Sequence, residues 1–216
     1  MRKNGSVWRR KKIEALPADH WSCEPWGHSV EMGPITLRPL GAKEWPSFCN
    51  LVDDEIITQN GWTSEWKADI EKATDLARLG VFPSDRSLAP KLVDFVIASR
   101  SEGTVMGSIS LNPLSDGSLD AAEVGYWIGP EYRRRGFATA ALDAISRFGF
   151  VHLGLTRIVA STAANNAASI KVIESASFTF TGAGTVTLPN GVATAARMYE
   201  RCHVHPNPIP CRRRKR

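Results

Sequence analysis

The chain of 216 residues is 43% hydrophobic, enough for one globular domain with a real core, and nothing in it requires a second domain. Its net charge of +5 sits at the ends: residues 1–12 hold six Lys/Arg and residues 211–216 hold five, with no acidic residue in either, while the body between carries 16 basic against 22 acidic side chains. No stretch approaches the roughly 18 apolar residues of a membrane span, and the positive start lacks the apolar run of a secretory signal, so the expectation is a soluble, cytoplasmic protein with no membrane partner.

In chain order, residues 1–33 read as a basic extension containing Trp and Pro, residues 34–202 as the folded domain, and residues 203–216 as a basic, Pro-containing tail. Ile35-Thr-Leu-Arg-Pro39 is the predicted opening strand. Two helical stretches are predicted within residues 43–80, where Trp62 and Trp66 at i, i+4 share one face. Residues 93–99 and 105–111 flank the turn-rich Arg100-Ser-Glu-Gly-Thr104 and read as a hairpin. A polar loop over residues 111–120 precedes a strand at 123–128 and a helix at 137–152. In that helix Ala138, Ala141, Leu142, Ile145, Phe148 and Gly149 recur at helical spacing, as a sheet-facing stripe requires. A strand near residue 158, a helix near 169 and a terminal strand pair around 182–186 and 195–202 complete an α/β order with a mixed sheet. Cys202, His203, His205 and Cys211 form a local group of potential zinc ligands, but their spacing matches no usual structural zinc site, and no metal is expected. With Cys23 and Cys49 at a distance and no C-x-x-C pair, reduced thiols fit best.

Between the strand at 123–128 and the following helix, the chain breaks at Gly129-Pro130 and restarts through Arg133-Arg134-Arg135-Gly136-Phe137-Ala138-Thr139. A helix start of this kind is an anion cradle, because its first N–H groups lack intrahelical partners and carry the positive end of the macrodipole. Gly136 and Ala138 allow a ligand close to the backbone. Further on, Asn165-Asn166-Ala-Ala-Ser169 opens the next helix, which ends at Ser177-Phe178.

The two stretches together resemble the GNAT superfamily of acetyl-CoA-dependent N-acetyltransferases, whose loop reads Gln/Arg-x-x-Gly-x-Gly/Ala and whose next helix reads Asn-x-x-Ala/Ser and ends in Gly-Phe. Arg133, Gly136 and Ala138 match the first pattern; Asn166, Ser169 and Phe178 match the second. The wording around them, Glu123-Val-Gly-Tyr-Trp-Ile128 and Asn166-Ala-Ala-Ser169, is most similar to the branch that acetylates N-terminal amines of ribosomal proteins. The resemblance spans about residues 34–202 and implies a single-domain GNAT-like fold, with a central mixed and mostly antiparallel sheet flanked by helices.

It also implies roles. Backbone N–H groups of Arg134, Arg135, Gly136, Phe137, Ala138 and Thr139 would hold the pyrophosphate of acetyl-CoA, with the pantetheine arm beside Trp127 and Ile128. Arg133, Arg134 and Arg135 can add charge-assisted bonds or remain solvated. Glu123 shares a strand face with Gly125 and Trp127 and is the candidate general base, unless it merely pairs with a cation. The Tyr that many members place seven residues after the helix Asn is Ile173 here, which has no proton to give. Ser169 occupies the place of a substitute donor, or bonds its own backbone, and Asn166 contacts the pantetheine or caps the helix. The expected activity is transfer of acetyl to a protein N-terminal amine. The alternatives are a small aminated molecule such as an antibiotic or polyamine, and a non-catalytic ribosome- or RNA-binding protein on this fold. The basic ends are either weak ribosome or RNA contacts or solubilising extensions.

Overall fold

The computed structural model describes residues 29–40, 44–52, 93–188 and 191–203. Elements are numbered within them. Eight strands, β1 (Val30–Met32), β2 (Ile35–Pro39), β3 (Val93–Ser99), β4 (Val105–Pro113), β5 (Ala121–Ile128), β6 (Arg157–Ala163), β7 (Thr179–Thr187) and β8 (Ala193–Cys202), form one sheet in the order β1-β2-β3-β4-β5-β6-β8-β7. All neighbours are antiparallel except β5 and β6. That pair needs a crossover, supplied by α2 (Phe137–His152). The mixed, mostly antiparallel sheet flanked by helices is the architecture expected.

α2 buries Phe137, Ala141, Leu142, Ala144, Ile145, Phe148 and Gly149 against the sheet. Its partners include Ile35, Leu37, Ile109, Leu111, Ala122 and Val124, and α3 (Ala167–Ser175) adds Ile173 to the same cluster. Burial of each large side chain here contributes about 1.5–3 kcal/mol. Ala138, predicted on the buried stripe, is half-buried and packs at its margin. The opposite sheet face carries a smaller cluster, in which Phe48 of α1 (Trp45–Leu51) packs with Val96 and Val105 and meets the edge of the Trp127 ring at 5.7 Å.

Two local readings differ, and a third, left open between two roles for Asn166, is seen as the cap. β1 falls within the stretch read as an N-terminal extension over residues 1–33, and it pairs Val30, Glu31 and Met32 with Leu37, Thr36 and Ile35. β4 runs on to Pro113, paired with Ala122, so the polar loop is shorter than residues 111–120. Asn166 is the N-cap of α3, its Oδ1 accepting from the Ser169 N–H at 3.0 Å. Of the two helices expected within residues 43–80, α1 is present and the second, with Trp62 and Trp66, lies outside the described residues, as do His205 and Cys211. Among the described residues no helix is long and apolar enough to cross a membrane.

Candidate active site

The parallel pairing of β5 with β6 is short. It joins Ala121 to Arg157, Ala122 to Ile158 and Glu123 to Val159, and goes no further, although β5 continues to Ile128 and β6 to Ala163. β4 follows β5 along Ala122 to Ile128, and β8 follows β6 over its whole length. The strands therefore part after Glu123 and leave an opening lined by the backbone edge of Val124 to Ile128. Backbone groups on such a strand edge can hydrogen-bond an extended, amide-bearing ligand.

At the mouth of the opening, Pro130–Tyr132 makes one 3₁₀ turn and the chain then climbs into α2. Arg134 has φ +60° and Gly136 has φ +80°, two left-handed residues that turn the backbone inside out before the helix. The helix's first bond is donated by Ala140 to the Gly136 carbonyl at 3.0 Å, so the N–H groups of Phe137, Ala138 and Thr139 precede the helical ladder. A Cβ placed on Gly136 would meet no protein atom within 4 Å, which makes the space above it available to a ligand. Arg133 Nε donates to the Ile128 carbonyl at 3.0 Å and ties the loop to the strand. The Arg135 guanidinium lies 4.9 Å over the Phe137 ring, and Arg134 and Arg135 are both exposed. Beside the loop lies a cavity of about 610 Å³ lined by residues that include Gly136, Thr139, Asp143, Arg147, Ser177 and Arg201. Asp143 pairs with both Arg147 and Arg201, so the cationic groups available to a ligand are those of the loop, Arg134 and Arg135. Donors, cationic side chains and open volume together fit a long, anionic nucleotide ligand.

At the closed end, Glu123 points to the face that also carries Trp127. Its Oε1 accepts from Ser161 Oγ of β6 at 2.6 Å. A hydroxyl rather than a cation orients it, so the carboxylate keeps acceptor capacity for another partner. Gly125 leaves a gap on this face, floored by Ser110 and Asn112 of β4. Asn112 Nδ2 donates at 3.4 Å to Ser110 Oγ and to the Glu123 carbonyl. The opening thus has a polar floor next to a carboxylate, which suits a cationic or amine ligand.

Ser169 approaches from the other sheet face. It lies in the first turn of α3, and its Oγ is 2.9 Å from the Tyr126 hydroxyl. Burial raises the Tyr126 phenol from 10.0 to about 12, against the smaller, lowering effect of the Ser169 bond. Ile173, one turn further on, is 1% exposed and belongs to the core. Ser161, Asn112 and Tyr126 were not singled out by sequence reasoning. Ser161 and Tyr126 meet their partners across 38 and 43 residues of chain, and only the strand register reveals those contacts.

Comparison with known proteins gives this geometry a family. Residues 35–179 match the model of the acetyltransferase (GNAT) domain. The putative ribosomal N-acetyltransferase YdaF of Bacillus subtilis is 28% identical over 144 residues, which is 67% of this chain and 77% of that protein. Among solved structures, the ribosomal-protein-S5-alanine acetyltransferase of Vibrio fischeri aligns with a TM-score of 0.58 at 20% identity, over 84% of this chain and 100% of that one. Mycobacterium smegmatis RimJ, solved in complex with CoA-disulfide, aligns with a TM-score of 0.59 at 20% identity, over 82% of this chain and 88% of that one. With the family model covering well over half of it, the chain belongs to the GNAT acetyltransferases and is an N-acetyltransferase that takes its acetyl group from acetyl-CoA.

Proposed function

We propose that the chain acetylates the α-amine at a protein N-terminus, of the ribosomal-protein type. The observation that carries this reading is the parting of β5 from β6 at Glu123, because one opening then has an N–H cradle at its mouth and a carboxylate at its closed end. The N–H groups from Arg134 to Thr139 hold the pyrophosphate, Arg134 and Arg135 add charge-assisted bonds to phosphate oxygens, and Arg133 keeps the loop in place through Ile128. The cavity beside Gly136 takes the nucleotide end. The edge from Val124 to Ile128, next to Trp127, takes the pantetheine amides. Bound there, acetyl-CoA supplies an acetyl thioester to the gap above Gly125.

Glu123 draws a proton from the incoming amine through water. An α-amine with a pKa near 8 is already about 10% neutral at pH 7, whereas a lysine near 10.4 is below about 0.1%, so a protein N-terminus needs only a modest base. Ser169 donates a hydrogen bond to the sulfur as the C–S bond breaks. The similarity to proteins named as ribosomal acetyltransferases favours a ribosomal protein as acceptor, which would put the enzyme in the cytoplasm. Intact-mass analysis of purified ribosomal proteins after incubation with the enzyme and acetyl-CoA tests this. One added acetyl at an N-terminus supports it, and acetylation confined to small amines overturns it.

A further inference from the structure

We propose that Tyr126 is a positioning residue for acetyl transfer, holding the Ser169 hydroxyl with its own so that the serine O–H is free to point at the sulfur. The proposal rests on the acetyltransferase reading above and adds to it the group that makes Ser169 effective.

The geometry comes from the parting of the strands. At Tyr126 the β6 side of β5 is already open, and the first turn of α3 lies across the gap. Tyr126 is on the α2 and α3 face, packed against the main core, so its ring is fixed and only the hydroxyl reaches the first turn of α3. There it meets two acceptors of one residue, Ser169 Oγ at 2.9 Å and the Ser169 carbonyl at 3.4 Å. The carbonyl can only accept, while either oxygen could donate in the 2.9 Å contact, and the phenol's one proton is assigned to that shorter contact, with Ser169 Oγ as acceptor. Asn166 holds the same residue by its N–H at 3.0 Å. Ser169 is thus clamped at backbone and side chain, and its own proton is left to point elsewhere.

A phenol pushed up to about 12 stays protonated throughout the neutral range and keeps donating. It is also a poor proton source for a thiolate of pKa near 8.5, which is why the role is positioning. The balance needs no proton from the pair: the amine nitrogen forms the new C–N bond, the C–S bond breaks with its electron pair going to sulfur, and the proton lost by nitrogen is the one the thiol or solvent finally holds. Ser169 stabilises sulfur charge by hydrogen bonding alone. Ile173, buried where many family members carry their phenol, leaves Tyr126 as the phenol at the first turn of α3.

The test uses the full chain with Tyr126→Phe, Ser169→Ala, both together, and Ser169→Thr, assayed for acetylation of an N-terminal peptide. Tyr126→Phe is expected to lower kcat about three- to tenfold with KM for acetyl-CoA unchanged, and the double variant to be no slower than Ser169→Ala. Ser169→Thr, which keeps a hydroxyl, retains most of the rate. Independently of turnover, the Cζ resonance of isotopically labelled Tyr126 should shift in Ser169→Ala. Full kcat in Tyr126→Phe, single losses that multiply in the double variant, or an unmoved Cζ resonance overturns the pairing. A larger loss in Tyr126→Phe than in Ser169→Ala makes Tyr126 the donor itself and overturns the positioning role. A wild-type chain that acetylates no N-terminal peptide fails the reading of function, whereas one that does so with Tyr126→Phe unimpaired fails only this proposal.

Discussion

Gly136 combines a left-handed φ of +80° with empty space where a side chain would begin. Gly136→Trp therefore costs about 1–2 kcal/mol of backbone strain, its Cβ meets no protein atom within 4 Å, and its ring enters the place proposed for the pyrophosphate. The expected outcome is a folded protein by circular dichroism with acetyl-CoA binding lost in calorimetry. Glu123→Gln keeps the Ser161 contact possible but removes the proposed base, and on that proposal turnover should fall roughly 10²–10⁴-fold with cofactor affinity little changed. Its deficit should be largest at low pH, where free amine is scarce, and a pH–rate profile from 6 to 9 checks it. Both residues were legible in the sequence, because a helix-opening Arg-x-x-Gly turn and a strand Glu are local patterns. Ser161 and Tyr126 were not, because each acts through a partner brought near only by the fold.

The C-terminus of α3 shows how one element departs from its family pattern. Ser177 stands where the family has Gly and adopts φ +62°. The Phe178 N–H donates to the Ile173 carbonyl at 3.3 Å and the Ser177 N–H to the Glu174 carbonyl at 3.2 Å, a Schellman end whose left-handed position favours glycine. Phe178 and Ile173 meet in the core beneath it. Ser177→Gly should relieve about 1–2 kcal/mol of strain against about 0.5–1 kcal/mol of added chain entropy. The net gain, of the order of 1 kcal/mol, should raise Tm by about 2–4 °C in calorimetry. Most elements were readable from apolar periodicity and turn residues. β1 was not, because its three residues are too few to show an alternation and only pairing with β2 makes them a strand.

A partly buried phenol, Tyr126, and a fully buried one, Tyr199, bear on the stability of the whole molecule. Tyr126 ionises at about 12 in the folded chain against 10.0 when exposed. Burial also raises Tyr199, whose hydroxyl donates to Glu174 at 3.0 Å. A raised acid contributes stability that is complete below the unfolded pKa and is lost as pH rises through the folded one. For Tyr126 that window is pH 10 to 12, and the loss is on the order of 2–3 kcal/mol. Urea midpoints should fall across it, less steeply in Tyr126→Phe. At the same scale, the eleven cationic residues at the two ends are either solubilising extensions or, on the ribosomal reading proposed above, contacts for a polyanion such as ribosomal RNA, and the second alternative has a test. Deleting residues 1–12 and 211–216 should weaken ribosome co-sedimentation at low salt and spare acetylation of a free peptide.

Three residue pairs are all that zip β5 to β6, so the sheet is two half-sheets basted together at one end, with α2 lying under both. A donor threaded between them, as proposed, would become part of the architecture as well as a reactant. Acetyl-CoA at a hundred times its Kd would add about 2.7 kcal/mol to stability, and amide exchange at Val124 to Ile128 should slow in its presence. The lifetime of such a protein would then track the supply of activated acetyl groups, since a chain starved of its donor is also a chain with an unfinished seam.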